Sequence, residues 1–532
     1  MFFIFSLVSA LLHTNFQGKS FQCNDINDPC NYENVQKQMS HGDTIIITDK
    51  NIFEQDHLDS FHNLSSKALS MGISLRGLNT TINGTLSNYY FPAFISFQSS
   101  YSIFIEYFTF ISFSSSIFHC KSSATLLFSY CDFHNNHVDN KLSILIFETS
   151  SKVVINHTIF SILTSHNSSI FLSNLSSIVL DSCTIDKAFT FHSSKHFPIF
   201  LLVQSQINIM NSKIIQSQAP YSPFFILKNS SNVLIENTSF LSNQNTIIFK
   251  CKEANSIIIR NSFFYDNMGC FIKNDKQKVE LRISNTRFEQ NFSPTQSFIN
   301  LLNSSVHIYN YSSFISNSGH SSLIHFSGPK SLAFINETAF LNNQNDDSII
   351  KCTVNDKMTI YSCMFNNSQS KNAVIMGNHS YIKIDQSHFY RSWSLSIMTV
   401  SCEIHLLNSL FTGSETYGKL AISSLNCHDS KIFNSSFNDN SLSFLIKLNG
   451  SVTLKNLNFN SLKEYAISKN LLKNCQNCQF LEEIIKEENY NLNISTIFTI
   501  VLPVMIFVLI LFIFRKRFFY FWRISINKKI KD

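Results

Sequence analysis

Residues 306–324 read Val-His-Ile-Tyr-Asn-Tyr-Ser-Ser-Phe-Ile-Ser-Asn-Ser-Gly-His-Ser-Ser-Leu-Ile. Three short apolar pieces sit in this stretch. Val306-His307-Ile308 alternates with the period of a strand, Phe314 stands among hydroxylic and amide residues, and Leu323-Ile324 closes the unit. The Asn, Ser and Gly between them supply turns and leave no room for a helix. The same unit recurs along the chain. Aligned on Phe314, markers stand at Phe110, Phe133, Phe160, Ile185, Ile214, Phe240, Phe264, Phe288, Phe340, Phe365, Phe389, Phe411, Phe437 and Phe459. The fifteen markers lie 22 to 29 residues apart.

A unit of that size cannot bury its own apolar face, so copies must stack. Three β-prone pieces per turn describe an all-β, right-handed parallel β-helix in which each strand pairs with its equivalent one coil away. At about 4.8 Å per coil, fifteen coils make a rod roughly 70 Å long. The marker phenylalanines are expected to stack inside it as an aromatic ladder. Leucine-rich repeats share the period, but their Leu-x-x-Leu-x-Leu skeleton is missing.

Seven coils read Phe-x-x-Asn at the marker: Phe133-Asn136, Phe240-Asn243, Phe264-Asn267, Phe288-Asn291, Phe314-Asn317, Phe340-Asn343 and Phe437-Asn440. The Asn falls at the turn after the marker, where side-chain amides can ladder from coil to coil. The pattern resembles the Phe-x-x-Asn repeats of polymorphic outer membrane proteins and the pectin-lyase-like β-helix surface proteins of parasitic protists. It covers residues 72–480. The bacterial Gly-Gly-Ala-Ile motif is absent, with Gly269-Cys270-Phe271-Ile272 the nearest fragment. The resemblance implies a β-helix and surface placement.

The flanks set the topology. Residues 1–20 begin with an apolar run to Leu12 and read as a signal peptide. Residues 21–71 read as an N-terminal cap with a strand at 44–47, followed at once by a second strand at 73–77. Residues 481–493 form a juxtamembrane stalk, and 494–514 are an uncharged apolar stretch long enough for one transmembrane helix. Arg515, Lys516 and Arg517 follow as a stop-transfer signal that places residues 515–532 in the cytosol. The expectation is a type I single-pass protein of the plasma membrane. Seventeen Asn-x-Ser/Thr sequons, from Asn63 to Asn493, suit an exported glycoprotein. Outside the basic tail, acidic and basic residues balance, so no counterion-releasing surface for nucleic acid is expected.

Thirteen cysteines in an exported chain suggest disulfides. Proximity pairs Cys23 with Cys30, Cys120 with Cys131, Cys352 with Cys363, and Cys475 with Cys478; Cys251–Cys270 and Cys402–Cys427 are possible bridges between neighbouring coils. Asp346-Asp347 is the densest acid pair, which a solvated turn after Asn342-Asn343-Gln344-Asn345 explains, and Ser318-Gly319-His320 only hints at a catalytic Gly-His-Gly. The histidines lack the paired spacing of a metal site. The reading is an adhesion or recognition rod for a host-cell or extracellular glycan or protein, with no enzymatic activity, metal or cofactor. The alternatives are a membrane-tethered polysaccharide lyase or hydrolase and a non-binding coat.

Overall fold

The computed structural model describes residues 10–480 apart from short stretches, chiefly 86–92, 139–142, 192–196, 275–277, 439–443 and parts of 460–474. The segments read as stalk, transmembrane helix and tail, Arg515, Lys516 and Arg517 among them, lie outside the described residues, as does the start of the segment read as a leader. Among the described residues no helix is long and apolar enough to cross a membrane.

Every strand pairing is parallel and joins a segment to its equivalent one coil on. The chain is therefore an all-β parallel β-helix. A coil such as 305–327 holds four segments: strand a (Ser305–Tyr309), strand b (Ser313–Ile315), strand c (Ser318–Gly319) and strand d (Ile324–Ser327). Strand c is additional to the three strands per turn expected. Its inward residue is Ser293, Gly319, Asn345 and Ser370 in successive coils, and the backbone closes in at the glycine, where a Cβ would meet Ser293 O at 2.8 Å.

The marker column runs in unbroken register from Ile52 through Ile82 and Phe110 to Phe459 and Phe480. Phe133, Phe240, Phe264, Phe288, Phe314, Phe340, Phe365, Phe389, Phe411 and Phe437 are all buried. Their rings stack nearly parallel: Phe340 on Phe365 at 4.8 Å and 4°, Phe365 on Phe389 at 4.7 Å and 1°. Ile185 and Ile214 interrupt the aromatic run without breaking the register.

Two left-handed residues bracket strand b and turn the chain sharply. Asn237, Asn261 and Asn285 hold φ of 49°, 51° and 45° before it; Ser242, Asp266 and Gln290 hold 53°, 52° and 53° after it. Asn tolerates this region better than most residues, which explains its abundance before the marker. One residue later stands a buried hydroxyl that bonds a nearby carbonyl: Thr238, Thr286, Ser312 and Ser409 all do so.

That column corrects two of the expected disulfides. Cys131 and Cys363 occupy hydroxyl positions, each thiol aimed at a backbone carbonyl, Ile105 O and Ile335 O, at 3.5 Å. Cys120 and Cys352 lie on strand d of their coils, on another side of the rod. None of the four is in a disulfide. Cys251 and Cys270 are also buried thiols; Cys270 pairs in register with Ile247, four residues short of Cys251. The Cys402 and Cys427 side chains lie outside the described residues. Cys23–Cys30 and Cys475–Cys478 are disulfides at the two ends of the rod.

The N-terminal end is closed by two helices that the sequence reading did not anticipate, α1 (Tyr32–Gln38) and α2 (Gln55–Ser70). Helix α2 buries Leu58, Phe61, Leu64, Ala68 and Leu69, and Phe61 packs on Phe94 and Phe108 of the first coils. Covering this end hides a polar strand edge that would otherwise template pairing with another chain. Leu11–Thr14, within the segment read as a leader, pairs with Thr44–Ile47 and joins the cap, because Leu12 and Thr14 alternate onto its buried face.

Candidate ligand-binding face

Past strand b each coil turns through an amide corner. Asn243, Asn267, Asn291, Asn317 and Asn343 are buried there. Each of the first four donates Nδ2 to the next Asn Oδ1, at 2.9, 3.0, 2.9 and 3.1 Å, and to a carbonyl of the previous coil. Asn136 makes the same carbonyl bond to Phe110 O, and Asn343 to Phe314 O. In the next coil Ser368 takes over, its hydroxyl bonded to Phe340 O. Asn440 lies outside the described residues. The corner thereby fixes where strand c leaves the rod.

Strand c carries an outward column in register through His137, Thr164, Phe189, Gln218, Gln244, Met268, Phe292, Ser318, Gln344, Gln369 and Trp393. Two residues on, the next outward position holds His166, Phe191, His320, Asp346, Lys371 and Leu395. Aromatic and imidazole rings meet along it: His137 and His166 at 4.9 Å, His166 and Phe191 at 5.5 Å, Phe292 and His320 at 5.7 Å. Phe191, Met268, Trp393 and Leu395 are each about two-fifths exposed or more. A column that mixes exposed or half-buried rings with amide and hydroxyl groups at strand spacing is a surface on which an extended chain can lie.

The acid pair is drawn into this column. Asp346 Oδ2 sits 2.9 Å from His320 Nδ1 and its Oδ1 2.9 Å from Lys371 Nζ. Hydrogen bonds from Lys371 and His320 hold its carboxyl below the ordinary carboxylate range. Asp347 faces the other way and accepts from Lys351 Nζ at 2.7 Å, Ser322 Oγ at 3.1 Å and Asn372 Nδ2 at 2.7 Å. Burial opposes its ionisation, but the Lys351 and Asn372 bonds outweigh that and its pKa is lowered too. Both acids are carboxylates at neutral pH, with charges matched by cations. They can hold a polar ligand, but neither is tuned to donate a proton. Beside them an open cleft of about 370 Å³ is lined by Gln344, Asp346, Gln369, Lys371, Trp393 and Leu395.

Lys351 belongs to a neighbouring column on strand d, in register through Lys250, Lys273, Asn300, His325 and Lys351. Burial and the Lys351 charge lower the His325 pKa, so this imidazole is neutral. Among the described residues no group of three His, Cys, Asp or Glu is placed to hold a metal ion.

The structure thus brings together Asp346 and His320, which the sequence separates by a full coil, while Asp347 turns away to Lys351. It also reveals Lys371, Trp393 and the strand c column, which the sequence reading missed. The signal was present four residues past each marker, where Phe292 and Trp393 follow Phe288 and Phe389.

No protein family matches the sequence, and no curated protein does. Solved structures match in fold. A pectate lyase is 11% identical over 53% of this chain and 79% of its own, with a TM-score of 0.27. The alginate lyase AlyGC is 10% identical over 86% of this chain and 90% of its own, at 0.26. PfbA, a surface adhesin of Streptococcus pneumoniae, is 9% identical over 73% of this chain and 88% of its own, at 0.25. The expectation of a non-enzyme is corrected here: the matching structures include lyases and the alginate epimerase AlgG beside an adhesin, so the fold leaves enzymatic activity open. What the chain shares with them is the parallel β-helix.

Proposed function

We propose that this protein is a membrane-tethered recognition rod that binds an extended polymer, a glycan chain of a host or neighbouring cell, along the strand c column. The observation that carries this reading is the in-register outward column from His137 to Trp393, in which rings (His137, Phe189, Phe292 and Trp393) alternate with amide and hydroxyl side chains such as Gln218, Gln244, Ser318, Gln344 and Gln369. Sugar rings offer apolar faces to such side chains, while His320, Asp346 and Lys371 offer charged hydrogen-bond partners. Residues 494–514 with Arg515, Lys516 and Arg517 support display from a membrane. The full chain, purified in detergent, is expected to bind a glycan panel or intact cells saturably and to lose that binding when heat-unfolded. Absence of binding to every glycan and cell type would overturn the reading.

A second reading, a lyase or hydrolase acting on the same polymer, is favoured by the His320–Asp346–Lys371 cluster beside the Trp393 cleft. Shortened glycan products in the binding assay would select it.

A further inference from the structure

The seventeen sequons are not equivalent once placed on the rod. Asn79, Asn237, Asn310 and Asn434 fall on one corner, between strands a and b, at φ of 56°, 49°, 52° and 49°. All four are exposed. The coincidence has a structural cause. The corner needs a left-handed residue, which favours Asn, and the positions after it take Ser or Thr, so the sequon assembles itself. Asn291 also heads a sequon but stands on the opposite corner, buried in the amide ladder. Both of its N–H groups are committed, to Phe264 O at 3.0 Å and Asn317 Oδ1 at 2.9 Å.

We propose that Asn79, Asn237, Asn310 and Asn434 carry N-linked oligosaccharides, that Asn291 carries none, and that these four glycans stand clear of the strand c face. In the transfer, Asn Nδ2 bonds to the anomeric carbon of an oligosaccharide borne on a lipid pyrophosphate. The sugar–phosphate C–O bond breaks, the pyrophosphate leaves with its electron pair, and the amide loses one proton. A glycosylated amide keeps one N–H. That is enough for Asn237, which donates one bond to Asn211 Oδ1, and for Asn434, which donates one to Asn408 Oδ1. Asn291 would have to give up a buried bond, which costs roughly tenfold or more in folding equilibrium. Strand b and the amide corner separate the glycan corner from the ligand column, so the sugars flank strand a instead.

The inference rests on export of the rod, part of the function proposed above, and the test separates the two. The full chain is produced in a secretory eukaryotic host, once with its own N-terminus and once with a foreign cleavable leader. The folded fraction is deglycosylated in heavy-oxygen water, and marked asparagines are read by peptide mass spectrometry. Marks at all four corner residues and none at Asn291 are expected. Unmarked corner residues in the foreign-leader protein, or a marked Asn291 in folded material, would overturn the assignment. Marks with the foreign leader alone would refute native export and leave the assignment standing. A Ser436→Ala variant, which alters the Asn434 sequon but not its corner, is expected to lose one glycan step on a gel and to fold as before. An unchanged gel mobility would remove Asn434 from the set.

Discussion

The two corners that bracket strand b are built from the same residue and behave in opposite ways. Before the strand, the asparagines are exposed and take left-handed backbone, and several pass one bond down the column, as Asn285 to Asn261 and Asn456 to Asn434. After it, Asn243 to Asn343 are buried and use every polar atom in the ladder. One corner shapes the backbone; the other replaces water for a buried turn. An exposed amide bond is exchangeable with solvent and contributes little net, whereas a buried one leaves orphaned donors behind when removed.

Substitution gives the largest expected contrast. Asn291→Ala removes two donated bonds and strands Asn267 N and Nδ2, for a loss of roughly 3–5 kcal/mol. Asn285→Ala loses one exposed bond and strains the left-handed backbone, about 1 kcal/mol, and Asn285→Gly should restore most of it. Chemical denaturation of the three variants checks this ranking; equal losses at both corners would erase the distinction.

A third corner, before strand a, sharpens the comparison through charge. Serines line it in most coils, with Ser205 N bonded to Ser231 Oγ and Ser304 N to Ser331 Oγ, but one coil places Asp356 there. Its carboxyl is buried with neither oxygen accepting a well-formed bond, and burial pushes its pKa up to about 7. The folded state therefore prefers the protonated acid. Its contribution is fully present below the ordinary pKa of 3.8 and is lost as pH rises toward about 7. Asp356→Ser is expected to stabilise the protein by about 1–3 kcal/mol at pH 8 and by little at pH 3.5. Melting temperatures of both proteins across that range test the sign; a gain that grows in acid would contradict it.

The smallest effect belongs to the thiols in the hydroxyl column. Burial pushes the Cys131, Cys183 and Cys363 thiols up to about 12. They should resist a thiol reagent at pH 8 until the chain unfolds, and Cys363→Ser should change stability by less than about 1 kcal/mol. Rapid labelling of the native protein would place these groups at the surface instead.

Much of this was legible in the residues. The markers were readable because a stacked solenoid demands the same residue type at the same place in every coil, and Phe110 to Phe459 supply it. The corner asparagines were readable as turn residues, but their burial was not, since Asn291 and Asn285 look alike in sequence. Pairing cysteines by proximity failed because chain neighbours in a coil face different sides of the rod. The phrases Ser-Cys-Met-Phe365 and Asn-Ser-Ser-Phe437 already showed Cys standing where Ser does. Helix α2 was missed because its apolar face, Leu58, Phe61, Leu64, Ala68 and Leu69, lies outside the repeat that dominated the reading. The ligand column was missed because strand c is two residues long and its outward members vary in type.

The central claim is that ligand lies on strand c rather than elsewhere on the rod. The measurement that tests it is cell or glycan binding by two double variants of the full chain, matched for melting temperature. One removes Phe292 and Trp393 from the column; the other removes Phe104 and Phe334, which project from strand a. The account predicts about a tenfold or greater loss of affinity for Phe292→Ala with Trp393→Ala, and less than about twofold for Phe104→Ala with Phe334→Ala. Equal losses, or a loss confined to the strand a pair, would contradict it.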